Sequence, residues 1–238
     1  MNVVDTGADG AQGDGGVPAG VDQRAVAAGG GVVVQVGGNA TVTVEQTVRR
    51  VLPRQLPAAP GVFAGRVAEL VALDRAAGVG APDGVAASGA VMISAIGGAG
   101  GVGKTWLALT WAHRNLHRFP DGQLFVDLHG FSPTGRPISP AEALRGLLDA
   151  LGVAPDHVPS GPDAQAALYR GLIAGRRMLV VLDNAATAEQ VVPLLPGSPT
   201  CTVLVTGRTT LASLIDRYGA LCLPKMSSVQ VRRRGGTR

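Results

Sequence analysis

The sequence predicts an α/β domain built on a parallel sheet with helices on both faces, and three observations predict it. Short apolar runs without charge alternate with segments of helical period, the order that yields a parallel sheet. One such run, residues 90–96, opens directly into a Gly-rich loop ending in Lys104 and Thr105. Another, residues 178–182, delivers an acid, Asp183, and open α/β sheets bind ligands at the carboxyl ends of their strands.

Each element has its local reason. Residues 1–30 are Gly, Ala and Asp without a period and are expected to be a disordered tail. Residues 32–36 and 41–44 are β-branched runs around Gly37, Gly38 and Asn39, which reads as a hairpin. Pro53, Pro57 and Pro60 then mark a linker, so that residues 31–60 precede the main domain. Residues 66–77 place Val67, Leu70, Val71 and Leu73 at helical spacing, and residues 78–89 form a loop. The run at 90–96 suits a strand covered on both faces. A helix follows over about residues 104–118, with Leu107, Ala108 and Trp111 inward. Residues 123–128 are the next strand. Ser139 and Glu142 form a capping box with Pro140 at the first helical position, and that helix stops at Gly152. Residues 163–174 are a helix closed by Gly175, residues 186–195 one stopped by Pro196, residues 202–206 a strand and residues 209–218 a helix. The domain is expected over residues 61–220, followed by a basic tail, disordered or truncated, over 221–238.

Composition narrows the function. Four Phe, two Trp and two Tyr in 238 residues leave little for stacking single-stranded bases. Two Cys, Cys201 and Cys222, cannot build a disulfide framework or a four-Cys metal site. No secretory signal is visible, and the uncharged stretch at 84–103 is better explained by its glycines than as a membrane span. A soluble protein of the reducing cytoplasm is expected, without a membrane partner. The net charge of +4 resides in the tail: without Lys225, Arg232, Arg233, Arg234 and Arg238, 16 basic residues face 17 acidic ones, a net of −1. Nucleic-acid binding by the folded body is therefore not expected.

Gly98, Gly103, Lys104 and Thr105 occupy every fixed position of G-x-x-x-x-G-K-[ST]. Glycines, here also Gly100 and Gly101 beside Val102, let a backbone wrap a phosphate and aim its N–H groups inward. Lys104 supplies a charge for the β- and γ-phosphates, and Thr105 a hydroxyl for Mg²⁺. Asp183, at the end of a buried strand, would hold the same metal. Arg208, at the edge of the following strand, can reach a γ-phosphate. Trp106 is counted with the loop among the nucleotide-binding residues, although its ring and that of Trp111 are read as packing groups. His113 and His117 lie one helical turn apart without a third ligand and are read as a solvated face.

On these residues the chain resembles the nucleotide-binding domain of the NB-ARC branch of signal-transduction ATPases, in the version found in actinobacterial regulators. Phe63, Gly65 and Arg66, with Glu69, look like the element that packs on the adenine. Residues 98–105 look like the phosphate loop, residues 125–130 the second strand, residues 179–184 the magnesium strand, and residues 205–208 the γ-phosphate sensor. The resemblance implies five parallel strands in the order 5-1-4-3-2, ADP in a resting state, ATP in an active and often oligomeric one, and slow hydrolysis as a timer. It also implies other domains as partners. The family commonly has a second acid after the magnesium-binding one; here that position is Asn184, which cannot take a proton as a carboxylate can. Lys104, Asp183, Asn184 and Arg208 are thus the candidate catalytic positions, and Thr105 and Asp183 the metal positions. The expected function is a switch with slow or absent hydrolysis. The alternative is a stand-alone ATPase or phosphotransferase using Asp127, and a third reading is nucleic-acid binding through the tail.

Overall fold

The apolar runs become a parallel sheet in the computed structural model, which describes residues 51–59, 61, 63, 65–78, 92–131, 135–208, 214 and 221–222. Its full strands are β1 (Met92–Gly97), β2 (Gln123–Asp127), β3 (Leu179–Ala185) and β4 (Thr202–Gly207). They lie in the order β2-β3-β4-β1 with every neighbour parallel. Where the sequence led to five strands, four are full among the described residues; beside β1 the two described residues of β5 (Leu221–Cys222) pair with Ser94 and Ala95.

Seven residues from two strands show why the central runs carry no charge. Val180 and Leu182 of β3, with Val203 and Val205 of β4, join one core, with Leu144, Leu147 and Tyr169 from the helices. Leu179, Val181 and Leu204 point to the opposite face and join a second core with Leu73, Leu107 and Trp111. Side chains alternate along a strand, so a strand roofed on both faces must be apolar throughout. Burying each such side chain stabilises by about 1.5–3 kcal/mol.

The first core is roofed by α3 (Pro140–Ala150) and α4 (Pro162–Ile173), the second by α1 (Val67–Ala76) and α2 (Lys104–Arg114). The capping box of α3 is formed in full, and α4 is followed by Gly175 at φ 70°. Two helices are shorter than the sequence led us to expect. α2 ends at Arg114 because the Asn115 side chain donates to the Trp111 carbonyl (3.0 Å), and the chain continues as a 3₁₀ turn, Leu116–Arg118. α5 is only Ala188–Val191: Thr187 caps it, and Pro193 diverts the chain into a 3₁₀ turn, Val192–Leu194.

The proline-marked stretch is tied to the sheet at its start. Gln123 N–H donates to the Pro53 carbonyl (2.7 Å) and Gln55 N–H to the Gln123 carbonyl (3.0 Å), along the outer edge of β2. Gly122 permits this approach, since a Cβ there would lie 2.7 Å from the Pro53 oxygen. Such pairing covers an edge that would otherwise offer free backbone groups. The Gly-rich tail, the hairpin at 32–44, most of the loop at 78–89 and of the helix at 209–218, and residues 223–238 lie outside the described residues. Among the described residues no helix is long and apolar enough to cross a membrane.

Candidate functional site

The carboxyl ends of the strands open into a cavity of about 540 Å³, within the range of ligand pockets. From the loop after β1 it is lined by Gly100, Gly101, Gly103, Lys104, Thr105 and Trp106. From the ends of β3 and β4 it is lined by Asp183, Asn184, Thr206 and Arg208. Of the predicted nucleotide-binding residues, Phe63, Gly65, Arg66, Gly98 and Val102 are not part of this lining.

The loop depends on glycine at defined points. Gly101 and Gly103 have φ 75° and 88°, the left-handed region that costs other residues roughly 1–2 kcal/mol. The Lys104 ammonium folds back over the loop and donates to the carbonyls of Gly98 (2.9 Å) and Ala99 (2.7 Å). Its pKa lies below the usual lysine value, chiefly through burial and then through the nearby Arg208 charge, with Asp183 opposing.

Asp183 is the most connected group of the site. The Thr105 hydroxyl lies 2.8 and 2.9 Å from its two oxygens, and the Thr206 hydroxyl donates to its Oδ1. Burial raises the Asp183 pKa above the usual aspartate value; the hydroxyls of Thr206 and Thr105 oppose this, and Asp127 adds to it. Asn184 follows at φ 56°, with its N–H donating to Thr206 Oγ1 (2.9 Å). That left-handed turn brings Asn184 to the cavity and not to the next helix, whose cap is Thr187. The sequence reading included Thr206 in residues 205–208 but gave it no role of its own. The signal was a polar residue ending an otherwise apolar β4 run, and only the pairing of β3 with β4 shows what it touches.

Arg208 stands beside the loop. A Cβ on Gly100 would come within 3.3 Å of its guanidinium carbon. Arg66 approaches the loop from outside: it donates to the Val102 carbonyl (3.2 Å) and pairs with Glu69 (2.8 Å). Phe63 packs against the second core, as does Val102. The two tryptophans divide. Trp111 is buried and donates to Asp74 (2.8 Å), a packing role as expected; Trp106 is 55% exposed and lines the cavity, so it is no core residue. His113 is not simply solvated, since its Nε2 lies 2.8 Å from the Pro57 carbonyl. Cys201 is a free, buried core residue. Asp127 accepts from His129 N–H (2.9 Å) and is not part of the cavity lining.

The donor set suits a magnesium nucleotide. Mg²⁺ takes oxygen ligands and is usually held by one or two carboxylates together with substrate phosphates. A carboxylate and a hydroxyl, Asp183 and Thr105, meet at the mouth of a glycine loop that carries a lysine. Among the described residues no group of three or more His, Cys, Asp or Glu could hold a different metal.

The chain is 46% identical over 177 residues to the regulatory protein AfsR of Streptomyces coelicolor, covering 74% of this chain and 17% of that protein. It is 44% identical over 167 residues to the regulatory protein AfsR of Streptomyces griseus, covering 70% of this chain and 16% of that one. The chain therefore spans only that small share of the curated relatives it matches. No family model matches it. Among solved structures it resembles Cdc6p from Pyrobaculum aerophilum with a TM-score of 0.50 at 15% identity, over 71% of this chain and 47% of that one. At such low identity this likeness speaks for the fold alone.

Proposed function

We infer that this chain is the nucleotide-binding switch module of a larger cytoplasmic regulator of the NB-ARC type, taking ADP or ATP with Mg²⁺ and hydrolysing ATP slowly or not at all. One observation carries the reading. Thr105 and Asp183, 78 positions apart, meet within hydrogen-bond distance beside the lysine of the phosphate loop. In this reading Lys104 meets the β- and γ-phosphates, Thr105 and Asp183 hold the metal, and Arg208 reports the γ-phosphate. Phe63, Gly65 and Arg66 are assigned to the adenine, a reading supported by the bond from Arg66 to the Val102 carbonyl of the loop. Relatives named regulatory proteins and several times longer than this chain support a module working with other domains; a nucleotide-dependent oligomer is part of the same proposal. Asp127 accepts from the His129 N–H and does not line the cavity, so it lends no support to a turnover enzyme using that acid.

Mass spectrometry of the purified chain is expected to find bound ADP. A chain that carries no nucleotide and gains no thermal stability from ADP or ATP would refute the reading. The switch aspect is tested by single-turnover hydrolysis of radiolabelled ATP. The wild-type rate is expected near background, and Asn184→Asp is expected to raise it, by at most the roughly 10²–10⁴-fold of a positioned base. Rapid turnover by the wild type would make the protein an enzyme instead.

A further inference from the structure

We propose that Phe131 is the positioning residue for Arg208, holding its guanidinium against the phosphate loop so that the site distinguishes a triphosphate from a diphosphate. The inference rests on the nucleotide reading above and names a residue that the phosphate-loop motifs do not include.

Arg208 is exposed, and an exposed arginine samples many rotamers unless something holds it. Phe131 holds it twice. The guanidinium carbon lies 4.8 Å from the centroid of the Phe131 ring, and Nη2 donates to the Phe131 carbonyl at 3.3 Å. The first contact is a cation–π attraction to the ring face; the second directs the planar fork. The guanidinium also lies close to Gly100, where a Cβ would come within 3.3 Å of it. The cation is thus near both an aromatic face and the loop.

Phe131 is itself pinned. Leu128 N–H donates to the Asp183 carbonyl and Gly130 N–H to the Asn184 carbonyl, both at 2.8 Å. A Cβ on Gly130 would lie 2.4 Å from the Ala186 nitrogen, so only glycine lets this turn lie flush on the end of β3. The platform for Arg208 is therefore built on the backbone of Asp183 and Asn184. A contiguous bracket runs from Gly100 through Arg208, Phe131 and Gly130 to Asn184. It fixes a second cation beside Lys104 on the same cavity, and a third phosphate has more to gain from that cation than a second one.

The test is calorimetric titration of the full chain with MgATP and, separately, MgADP. Phe131→Leu keeps apolar bulk and removes the ring face; Phe131→Tyr keeps the face. Phe131→Leu is expected to weaken MgATP about three- to tenfold, the order of one cation–π contact, and to leave MgADP nearly unchanged. Phe131→Tyr is expected to restore wild-type affinity. In an Arg208→Met background the Phe131→Leu effect is expected to vanish, since the pair acts through one contact. Equal losses for both nucleotides, no rescue by tyrosine, or a loss that persists in Arg208→Met would overturn the proposal. If Arg208→Met weakens MgATP selectively and Phe131→Leu does not, the proposal alone fails. If Arg208→Met leaves the ratio of the two affinities untouched, the sensor role of Arg208 fails with it. If neither nucleotide binds the wild type, the nucleotide reading itself is lost.

Discussion

α2 and α3 have 11 residues each and begin in opposite ways. α3 satisfies its own amino end. Ser139 accepts from the Glu142 N–H (3.2 Å), Glu142 accepts from the Ser139 N–H (2.9 Å), and Pro140 needs no partner at the first position. Glu142 also places a negative charge against the positive end of the helix dipole. α2 has none of this. Its cap is Gly103 in a left-handed conformation with no side-chain bond, and no acid stands in its first turn. Its first two side chains leave the helix altogether, Lys104 for the loop carbonyls and Thr105 for Asp183. An amino end without internal anions is suited to an anion from outside. The comparison separates a helix start made for stability from one made for a ligand.

The largest effect should come from the helix start that serves a ligand. Saturating MgATP, at about a hundred times its dissociation constant, should stabilise the wild type by about 2.7 kcal/mol. For a chain of this size that is a rise in Tm of about 5–11 °C. Lys104→Ala should lose most of that rise, because it removes the cation nearest the loop. A thermal melt showing the same rise in both proteins would remove α2 from the ligand side of the comparison.

Next in size is the metal. Asp183→Ala should abolish the difference between ATP affinity measured with and without Mg²⁺, while ADP, which leans more on the loop backbone, should still bind. Paired titrations of both proteins decide it; an undiminished Mg²⁺ dependence in the variant would place the metal elsewhere.

A smaller and purely structural effect is expected at α3. Ser139→Ala should cost about 1 kcal/mol, a fall in Tm of about 2–4 °C, with the rise on adding MgATP unchanged. A loss of nucleotide response in this variant would blur the division between the two helix starts.

The smallest effect is a pH dependence of the α3 cap. Glu142 titrates below the ordinary glutamate value of 4.5, first through the Ser139 N–H and then through the Ser139 hydroxyl. A carboxylate whose pKa is lowered by folding stabilises above its unfolded value and loses that contribution as pH falls through the folded one. The difference in Tm between wild type and Glu142→Gln should therefore be constant at neutral pH and shrink below about pH 4.5. A difference that grows on acidification would mean that Glu142 does not act as an ionised cap.

What was legible follows the range of the interactions. The capping box of α3 and the glycines of the loop are written within a few residues of one another and could be read directly. The four full strands could be read as well, because the burial of β3 and β4 on both faces demands an uninterrupted apolar run. Helix ends were less legible. Asn115 stops α2 by a side-chain bond one turn back, and α5 starts late because β3 runs on to Ala185 and Thr187 takes the cap. The edge pairing of Pro53 and Gln55 with Gln123 gave no local sign, since prolines in a row read as linker whether or not their carbonyls find a partner.

By itself the sequence determined that an alternating α/β sheet carries a glycine loop with Lys104 and Thr105 after one strand and Asp183 after another, because hydrophobic periodicity, capping and glycine conformation act between near neighbours. Only the tertiary structure decided that Thr206 shares the Asp183 carboxylate, that Trp106 faces the cavity and that Phe131 holds Arg208 against Gly100. Those contacts join residues brought together by parallel strand order, a non-local choice that sets side chains up to 78 positions apart within hydrogen-bond reach.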